Sequence, residues 1–462
     1  MIPPIVLAWV LLTPPLAAGR TAPGAPTASG SMQGFGPEGA IDGDRFATGP
    51  GSAWKGPTQP SETWWQVRFP EPRDVGAILQ VLGDHAFVLR NAPKRYVWQF
   101  GQDGRNWCDL DETRTTDERR TFRIHRLRQV RRAKYLRLLV SESQGPCPVL
   151  REVEFYPATE SRIDFGDWAV VVSTIDKPDL PGAGVEFVKL IRQCDEWKHL
   201  QVQQVWLDTF NEAFVSAEPR PLCAFLSGNY KDWCQVAREP WRGTQEILKN
   251  RRLPIWAACG GAQGLAILST AGVDKEWDCP HCRDPKNPKL PIYTHIGHTG
   301  KRACGDYACC IAERGIYNVR KVADDPVFEG LPREFQIRES HVGQIEWAPD
   351  GWVLIATAGR GALTRTQCLR VKDRYIYAAQ FHIESYEGTL QNSQRILSNF
   401  LSLAKQWGGY NPQGPPVPPP QSFPASETPS TAPRAIPSGG GPSSRARIGV
   451  ANRSFFAQQH LP

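Results

Sequence analysis

The sequence predicts two folded domains of different class, an N-terminal all-β sandwich and a following α/β domain with a doubly wound, mainly parallel sheet. From residue 31 to residue 157, short strand-like runs are separated by turns and no long helical period is present. From Asp167 onward, apolar strands alternate with helical segments, which is typical of a parallel sheet. A length of 462 residues with 40% hydrophobic residues is sufficient for two cores.

The two ends of the sequence differ from these domains. Residues 1–18 have a short apolar centre and end in small residues, which predicts a signal peptide and a secreted or periplasmic protein. Pro14 and Pro15 interrupt that apolar run, and no later run is long enough, so no membrane span is expected. Residues 19–30 read as a linker, and the Pro/Gly/Ser-rich residues 409–462 as a disordered tail.

The net charge of +7 is modest, and the arginine-rich stretch 114–137 also contains acidic residues. This pattern is typical of solvated strand faces and does not indicate a nucleic-acid partner.

The predicted sandwich spans residues 31–158, with strands near 64–69, 75–81, 95–100, 135–140 and 150–155. Its motifs Ala40-Ile-Asp-Gly-Asp44, Trp65-Gln-Val-Arg-Phe69, Gly101-Gln-Asp-Gly-Arg-Asn-Trp107 and Arg151-Glu-Val-Glu-Phe-Tyr156 resemble those of the discoidin (coagulation factor C-type) domain. The resemblance implies a jelly-roll sandwich of a kind often used to bind glycans or cell surfaces.

Some members of that family hold a structural calcium ion. Oxygen donors of a suitable type are Asp42, Asp44, Thr48 and Glu152, and a metal-free sandwich is the alternative. Candidate sugar-binding residues in loop-like stretches, each of which could instead be a packing or surface residue, are Trp54, His85, Phe87, Arg90 and Asn91.

In the predicted α/β domain, residues 165–408, strands are expected at 169–173, 202–207 and 221–227, and helices at 184–194 and up to residue 250. The apolar run 253–258 ends abruptly at Cys259, and two glycines and a helix-forming segment follow. This order predicts a strand, a sharp turn and a helix, with Cys259 at the apex. Backbone N–H groups at the start of the helix favour a thiolate there, and Gly260 leaves room in the turn.

A second apolar run, 375–381, leads to His382 and then Glu384. Alternate residues of an extended segment share one face, so Glu384 can orient His382 while His382 acts as a base for Cys259. The alternative is that the cysteine is an inert core residue and the histidine is structural.

Several ordered motifs between residues 166 and 407 resemble class I glutamine amidotransferase domains, including γ-glutamyl hydrolase-like members. The motifs are Phe225-Leu-Ser-Gly-Asn229, Ile255-Trp-Ala-Ala-Cys-Gly-Gly-Ala-Gln263, Ser340-His341 and Gln380-Phe-His-Ile-Glu384. The resemblance implies that Gly228 and Gly260 supply oxyanion N–H groups and that Gln263, Ser340 and His341 bind the glutamyl α-amino and α-carboxyl groups. Ala257 departs from the family's usual glycine, and an alanine is small enough for the turn to survive.

The reaction implied is attack of the Cys259 thiolate on a γ-carboxamide, which needs no cofactor. Because no synthase segment accompanies the domain, we expect hydrolysis of a γ-glutamyl amide or peptide bond in a small molecule or peptide, near a glycan or cell surface. Two alternatives remain open at this point: a non-enzymatic binding protein with a degenerate scaffold, and an amidotransferase subunit that feeds ammonia to a separate synthase.

A cysteine-rich insertion separates the Cys259 turn from His382. Its thiols are suited either to disulfides, as expected of an exported protein, or to zinc, and the two remain open for Cys279, Cys282, Cys304 and Cys309.

Overall fold

A computed structural model describes residues 24–47, 49–58, 62–84, 89–175, 184–229, 231–277, 290–296 and 310–423. The predicted signal peptide therefore lies outside the described residues. None of the described helices is long and apolar enough to cross a membrane.

The N-terminal domain is an all-β structure, as predicted. Its strands are β1 (Ala25–Ala28), β2 (Trp54–Lys55), β3 (Thr63–Leu82), β4 (Pro93–Gly101), β5 (Cys108–Asp109), β6 (Phe122–Ser143) and β7 (Val149–Tyr156). Over the described residues the strand order is β2-β7-β3-β6-β4-β5, and β1 pairs with β3. The long strands β3 and β6 pair with each other through two register shifts, at Arg68/Arg73 and Val75/Ala77.

Aromatic side chains fill the centre of this domain. Trp65 and Trp98 are fully buried and meet edge to face with ring centroids 6.3 Å apart, and Trp98 meets Phe155 in the same way at 5.9 Å. Such pairs bury large apolar areas in a fixed geometry.

The sandwich starts earlier than predicted, because β1 lies inside the segment expected to be a linker. Residues 25–28 pair with residues 65–68 of β3. The small and proline residues that suggested a linker are tolerated here because, within the described ranges, β1 pairs only with β3, and proline is acceptable on an edge strand.

The second domain alternates strands and helices. Its helices are α1 (Gly184–Arg192), α2 (Glu212–Ser216), α3 (Arg242–Asn250), α4 (Gly260–Thr270) and α5 (Leu390–Trp407). Its strands in the first half are β8 (Trp168–Ser173), β9 (Gln201–Trp206), β10 (Cys223–Leu226), β11 (Ile255–Ala258), β12 (Tyr293–His295), β13 (Glu313–Lys321) and β14 (Ala323–Asp324). The remaining strands are β15 (Glu334–His341), β16 (Gly343–Ile345), β17 (Trp352–Ala358), β18 (Cys368–Val371), β19 (Ile376–Ala379) and β20 (Gln421–Ser422).

The main sheet has the order β15-β13-β17-β18-β19-β11-β10-β8-β9 in the described part of the chain. The strands β19, β11, β10, β8 and β9 are mutually parallel, as predicted. The other four strands are antiparallel, so the sheet is mixed. Strand β11, with all its residues buried, lies between β19 and β10 and is followed by Cys259 at its carboxyl end.

One hydrophobic cluster joins the two domains. Phe122 of β6 packs against Phe165 and Trp168, with ring centroids 4.4 and 4.6 Å apart. Beside them, the buried guanidinium of Arg120 donates to the Glu218 and Pro219 carbonyls and lies 5.1 Å from the Trp168 ring centroid. Burial lowers the pKa of Arg120 to about 9.

The α/β domain also extends beyond its predicted end at residue 408. Tyr410 and Val417 are buried, the Val417 N–H donates to Asp373 O at 3.0 Å, and β20 pairs with β14. The prediction of a disordered tail is therefore wrong for residues 409–423, because prolines pack an extended chain against a surface without needing a core of their own. Residues 424–462 lie outside the described residues.

Candidate active site

Cys259 occupies a strained turn between β11 and α4. Its backbone has φ 48° and ψ −111°, a region that residues with a Cβ rarely adopt. The turn is held by the Cys259 N–H, which donates to Ala379 O at 2.7 Å, and by the Cys259 carbonyl, which accepts from Gln263 N at 2.9 Å. The predicted strand, turn and helix are therefore present, and Ala257 is accommodated inside β11.

The two glycines after Cys259 allow the end of β10 to approach the turn. A Cβ on Gly260 would lie 2.3 Å from the Asn229 nitrogen, and one on Gly261 would lie 2.7 Å from Ser227 O. Both distances are too short for any side chain. These glycines are therefore required by close backbone contact with the segment that carries Gly228.

His382 and Glu384 follow β19 and form a hydrogen-bonded pair. His382 Nδ1 lies 2.7 Å from Glu384 Oε1, and the Glu384 side chain is 4% exposed. The His382 N–H donates to Arg338 O at 2.9 Å, which joins this segment to β15. Burial opposes a charge on His382, but Glu384 and Cys259 together raise its pKa well above the usual value.

Cys259 and His382 meet beside Gly228. A Cβ built on Gly228 would lie 3.3 Å from His382 Cε1 and 4.0 Å from Cys259 Sγ. His382 Nε2 is buried, and its interaction is with Cys259, which helps to raise the pKa of the imidazole. The structure thus brings Cys259, His382, Glu384, Gly228 and Gly260 to one edge of the sheet.

The three predicted substrate-side residues differ in their surroundings. Ser340 is exposed, and its carbonyl oxygen lies 3.9 Å from Cys259 Sγ. Gln263 is buried, and its amide contacts Trp233 Nε1 at 3.0 Å and Gly343 O at 3.1 Å. The side chains of Gln263 and His341 are thus engaged within the protein, and their direct contact with a substrate stays a prediction.

Sequence reasoning missed a buried acid beside the site. Glu339 shares the inward face of β15 with Phe335, Ile337 and His341. The alternation of buried residues in this strand is the signal that could have found it.

Of the predicted calcium residues, Asp42 and Asp44 lie in one turn and Glu152 lies beside it on β7, and all three accept hydrogen bonds from the backbone. Asp44 Oδ1 accepts from the N–H groups of Phe46 and Ala47, and Glu152 Oε2 accepts from Gly43 N. The part of the chain that the structure describes contains no group of three or more acidic, histidine or cysteine side chains suited to a metal. Calcium binding at this turn stays a prediction, and Thr48 lies outside the described residues.

The predicted cysteine cluster, Cys279, Cys282, Cys304 and Cys309, also lies outside the described residues. Cys234, which the sequence did not single out, is disulfide-bonded. Free thiols in the described ranges are Cys108, Cys147, Cys194, Cys223, Cys259 and Cys368.

The candidate sugar-binding residues of the first domain are not all surface residues. Trp54 is fully buried in the core of the sandwich and donates to Gly30 O at 3.0 Å, so for this residue the packing alternative holds. Asn91 is also buried and donates to Asp84 at 2.6 Å, whereas the Arg90 side chain is 79% exposed. His85 and Phe87 lie outside the described residues.

These features define an α/β protein with a cysteine at a strand–helix turn, preceded by a β-sandwich. Both domains match known protein families. Residues 25–153 match the F5/8 type C domain, and residues 183–403 match glutamine amidotransferase class-I. The chain therefore contains an F5/8 type C (discoidin) domain followed by a class I glutamine amidotransferase domain.

Individual relatives cover only parts of the chain. It is 39% identical over 93 residues to GMP synthase [glutamine-hydrolyzing] from Thermosipho africanus, across 19% of this chain and 17% of that protein. It is 28% identical over 132 residues to a GMP synthase [glutamine-hydrolyzing] subunit from Archaeoglobus fulgidus, across 29% of this chain and 66% of that protein. Thus the chain spans about one sixth of the first relative's length.

Among solved structures, a chitosan-binding module of a chitosanase/glucanase from Paenibacillus sp. IK-5 is 22% identical to this chain. The match covers 30% of this chain and 95% of that module, with a TM-score of 0.24.

Proposed function

We propose that this protein is a cysteine-dependent hydrolase of the glutamine amidotransferase type that cleaves γ-glutamyl amide or peptide bonds. The observation that carries the proposal is the pairing of Glu384 with His382 at 2.7 Å, beside a free cysteine in a strained turn. A histidine oriented by a carboxylate and facing a thiol is the arrangement that nucleophilic catalysis requires.

In the proposed reaction the Cys259 thiolate adds to the γ-carbonyl carbon, and N–H groups of Gly228 and Gly260 stabilise the resulting oxyanion. The imidazolium of His382 then protonates the leaving amine as the C–N bond breaks, which leaves a γ-glutamyl thioester. Water, deprotonated by His382, cleaves the thioester and returns the thiol. The net reaction consumes one water and releases glutamate, or a γ-carboxylate, and an amine.

The raised pKa of His382 supports this division of roles. A raised pKa favours the imidazolium form of His382, which can supply a proton to the leaving group. Activity is then expected to persist until the pH rises through the pKa of His382, above which the acid is lost.

The location proposed is outside the cytoplasm, at a carbohydrate-bearing surface. The disulfide at Cys234 supports an oxidising compartment. The F5/8 type C domain supports attachment to a glycan, which would bring the hydrolase to an immobilised substrate.

A second candidate is an amidotransferase subunit that supplies ammonia to a separate synthase. The names of the GMP synthase relatives favour it. It uses the same chemistry at Cys259 but needs a partner chain that captures ammonia before it reaches solvent.

The test is substrate profiling of the purified protein with glutamine and a panel of γ-glutamyl amides and dipeptides, beside Cys259→Ala and, as a matched control, Cys194→Ala. Product release is expected from the wild type and the control and not from Cys259→Ala. Equal rates for all three proteins would contradict the proposal. Release from glutamine only after addition of a synthase would favour the ammonia-supplying subunit.

Surface attachment is tested separately, by retention of the full chain on immobilised polysaccharides. Retention that an excess of soluble oligosaccharide competes away is expected. A failure to bind any of them would contradict the targeting role without affecting the hydrolase.

A further inference from the structure

Three ionisable side chains form a buried cluster beneath the active-site edge of the sheet. His341 Nε2 lies 3.0 Å from Glu339 Oε2 and 3.4 Å from Glu313 Oε2. The three side chains are at most 2% exposed. In the antiparallel pairing of β13 with β15, Glu313 lies directly opposite His341.

The contacts of His341 require a proton between its ring and the acids. His341 Nδ1 lies 2.9 Å from Gly343 O, and a carbonyl accepts only an N–H, so Nδ1 is protonated. If the ring were neutral, the lone pair of Nε2 would face the oxygens of two carboxylates, and such a contact is repulsive without a proton. One proton must therefore lie on Nε2 or on Glu339.

The two acids differ in the donors around them. Glu313 accepts from the Leu363 N–H at 2.6 Å and the Thr364 N–H at 3.3 Å. Glu339 has no close hydrogen-bond partner other than His341 among the described residues, and burial raises the pKa of this acid. Wherever the shared proton resides, the cluster carries a net charge of about −1.

This charge lies next to the segment that contacts both proposed catalytic side chains. Arg338 O holds the His382 N–H at 2.9 Å, and Ser340 O lies 3.9 Å from Cys259 Sγ. Glu339 lies between these two residues and points inward. Burial raises the pKa of Glu339, and a positive charge on His382 partly offsets that rise, so the two groups attract each other.

We propose that Glu339, supported by His341 and Glu313, is a positioning residue that fixes the end of β15 against the Cys259–His382 pair and stabilises the imidazolium of His382. The proposal rests on the proposed function and adds a second negative group to the one that Glu384 supplies. It explains why an acid whose one close polar partner is His341 is retained in the interior, where a neutral residue would be less costly.

The groups that face His382 come from several elements. Glu384 is on its own segment, Cys259 follows β11, and Glu339 and His341 are on β15. Glu313 acts from β13, and Arg338 is a part-exposed cation whose guanidinium lies 3.9 Å from the exposed Glu387. Among these, Glu339 and Glu384 are the buried acids whose charge on His382 solvent screens least.

The test is a proton NMR titration of the full chain labelled with ¹³Cε1-histidine, with the His382 signal assigned from His382→Asn. We expect the pKa of His382 to fall by roughly one unit in Glu339→Gln, because a buried negative charge is removed. The apparent pKa that governs the basic limb of the kcat/KM profile against pH should decrease by the same amount, while KM is unchanged. The matched control, Glu387→Gln, removes an exposed carboxylate and should leave both quantities unchanged.

Each outcome has a distinct meaning. An unchanged His382 titration in a folded Glu339→Gln protein overturns the inference. If that variant does not fold, Glu313→Gln tests the same charge and should shift His382 in the same direction. If the wild-type His382 titrates normally and Cys259→Ala does not change it, the Cys–His pair and hence the proposed function fail, independently of Glu339. Partial recovery of the pKa in Glu339→Asp would support a charge effect over a packing effect.

Discussion

At the scale of single residues, the candidate site depends on backbone geometry around Cys259 as much as on side chains. A non-glycine residue at φ 48° costs on the order of 1–3 kcal/mol, and persists only where its surroundings fix it. Here the fixing contacts come from β19 through Ala379 and from α4 through Gln263. This strained turn holds the Cys259 sulfur beside His382 and Gly228.

Substitution of Gly228 is expected to change the activity of the protein without changing its stability. In Gly228→Ala the added methyl meets only side chains, at 3.3 Å from His382 Cε1 and 4.0 Å from Cys259 Sγ. We expect a normal melting temperature but a loss of at least about tenfold in kcat/KM, because the methyl occupies the space where the oxyanion would form. The control is Gly30→Ala, whose added methyl has no contact under 3.5 Å. Full activity of Gly228→Ala would contradict the assigned position of the oxyanion.

The sequence was sufficient to predict the site residues that belong to short contiguous motifs. Cys259, Gly260, His382 and Glu384 follow apolar runs at fixed offsets, and the structure brings them together. The contacts of Gln263 and His341 could not be predicted in this way, because their partners come from distant segments such as Trp233 and Glu313. Burial at Glu339 likewise depends on which side of β15 faces the core.

At the scale of elements, β6 contains a buried histidine that links pH to stability. His125 is 7% exposed, its Nε2 lies 3.3 Å from the Tyr96 hydroxyl, and burial, aided by the charge of Arg123, lowers its pKa to about 3. The unfolded chain takes up a proton near pH 6.5, whereas the folded chain does not until about pH 3. Stability from this group is therefore complete above pH 6.5 and is lost as the pH falls.

For the wild type we expect His125 to account for about 2 kcal/mol of lost unfolding free energy between pH 7 and pH 5. Urea denaturation at several pH values measures it. His125→Gln should show a shallower loss over this range, while the exposed His199→Gln should match the wild type. Identical pH dependence in all three proteins would refute the assignment.

Elements with strong local sequence patterns were predicted correctly, whereas elements that depend on long-range strand pairing were not predicted. The apolar runs of β8, β10 and β11 predicted a parallel sheet, which the structure confirms for five strands. The antiparallel strands β13, β15, β17 and β18 and the packed residues 409–423 were not foreseen. Their ordering depends on pairing and surface contacts that composition alone does not encode.

At the scale of the whole molecule, the two domains share a hydrophobic cluster, so we expect them to unfold together. Phe122→Ala should cost about 3–5 kcal/mol and lower the unfolding temperature of both domains in calorimetry. Val130→Ala, at an exposed site on the same strand, should have little effect. Two separate transitions in the wild type, with only one of them moved by Phe122→Ala, would contradict a shared core.

The shared core also bears on the proposed function. A domain attached by a flexible linker would let the hydrolase sample many orientations above a surface. The contacts of Arg120 and Phe122 with the second domain instead fix the orientation of the site relative to the F5/8 type C domain. The substrate of an attached protein would then have to approach the Cys259 edge from one side.

The proposed hydrolase activity requires a nucleophilic thiolate at Cys259, at a site that binds a glutamine-like group. Intact-protein mass spectrometry after treatment with a diazoketone analogue of glutamine tests this claim. We expect one adduct per chain, mapped to Cys259, formed rapidly at neutral pH, slowed by excess glutamine, and absent in Cys259→Ala and strongly reduced in His382→Asn. Labelling that is absent in the folded wild type, or that persists unchanged in Cys259→Ala, would contradict it.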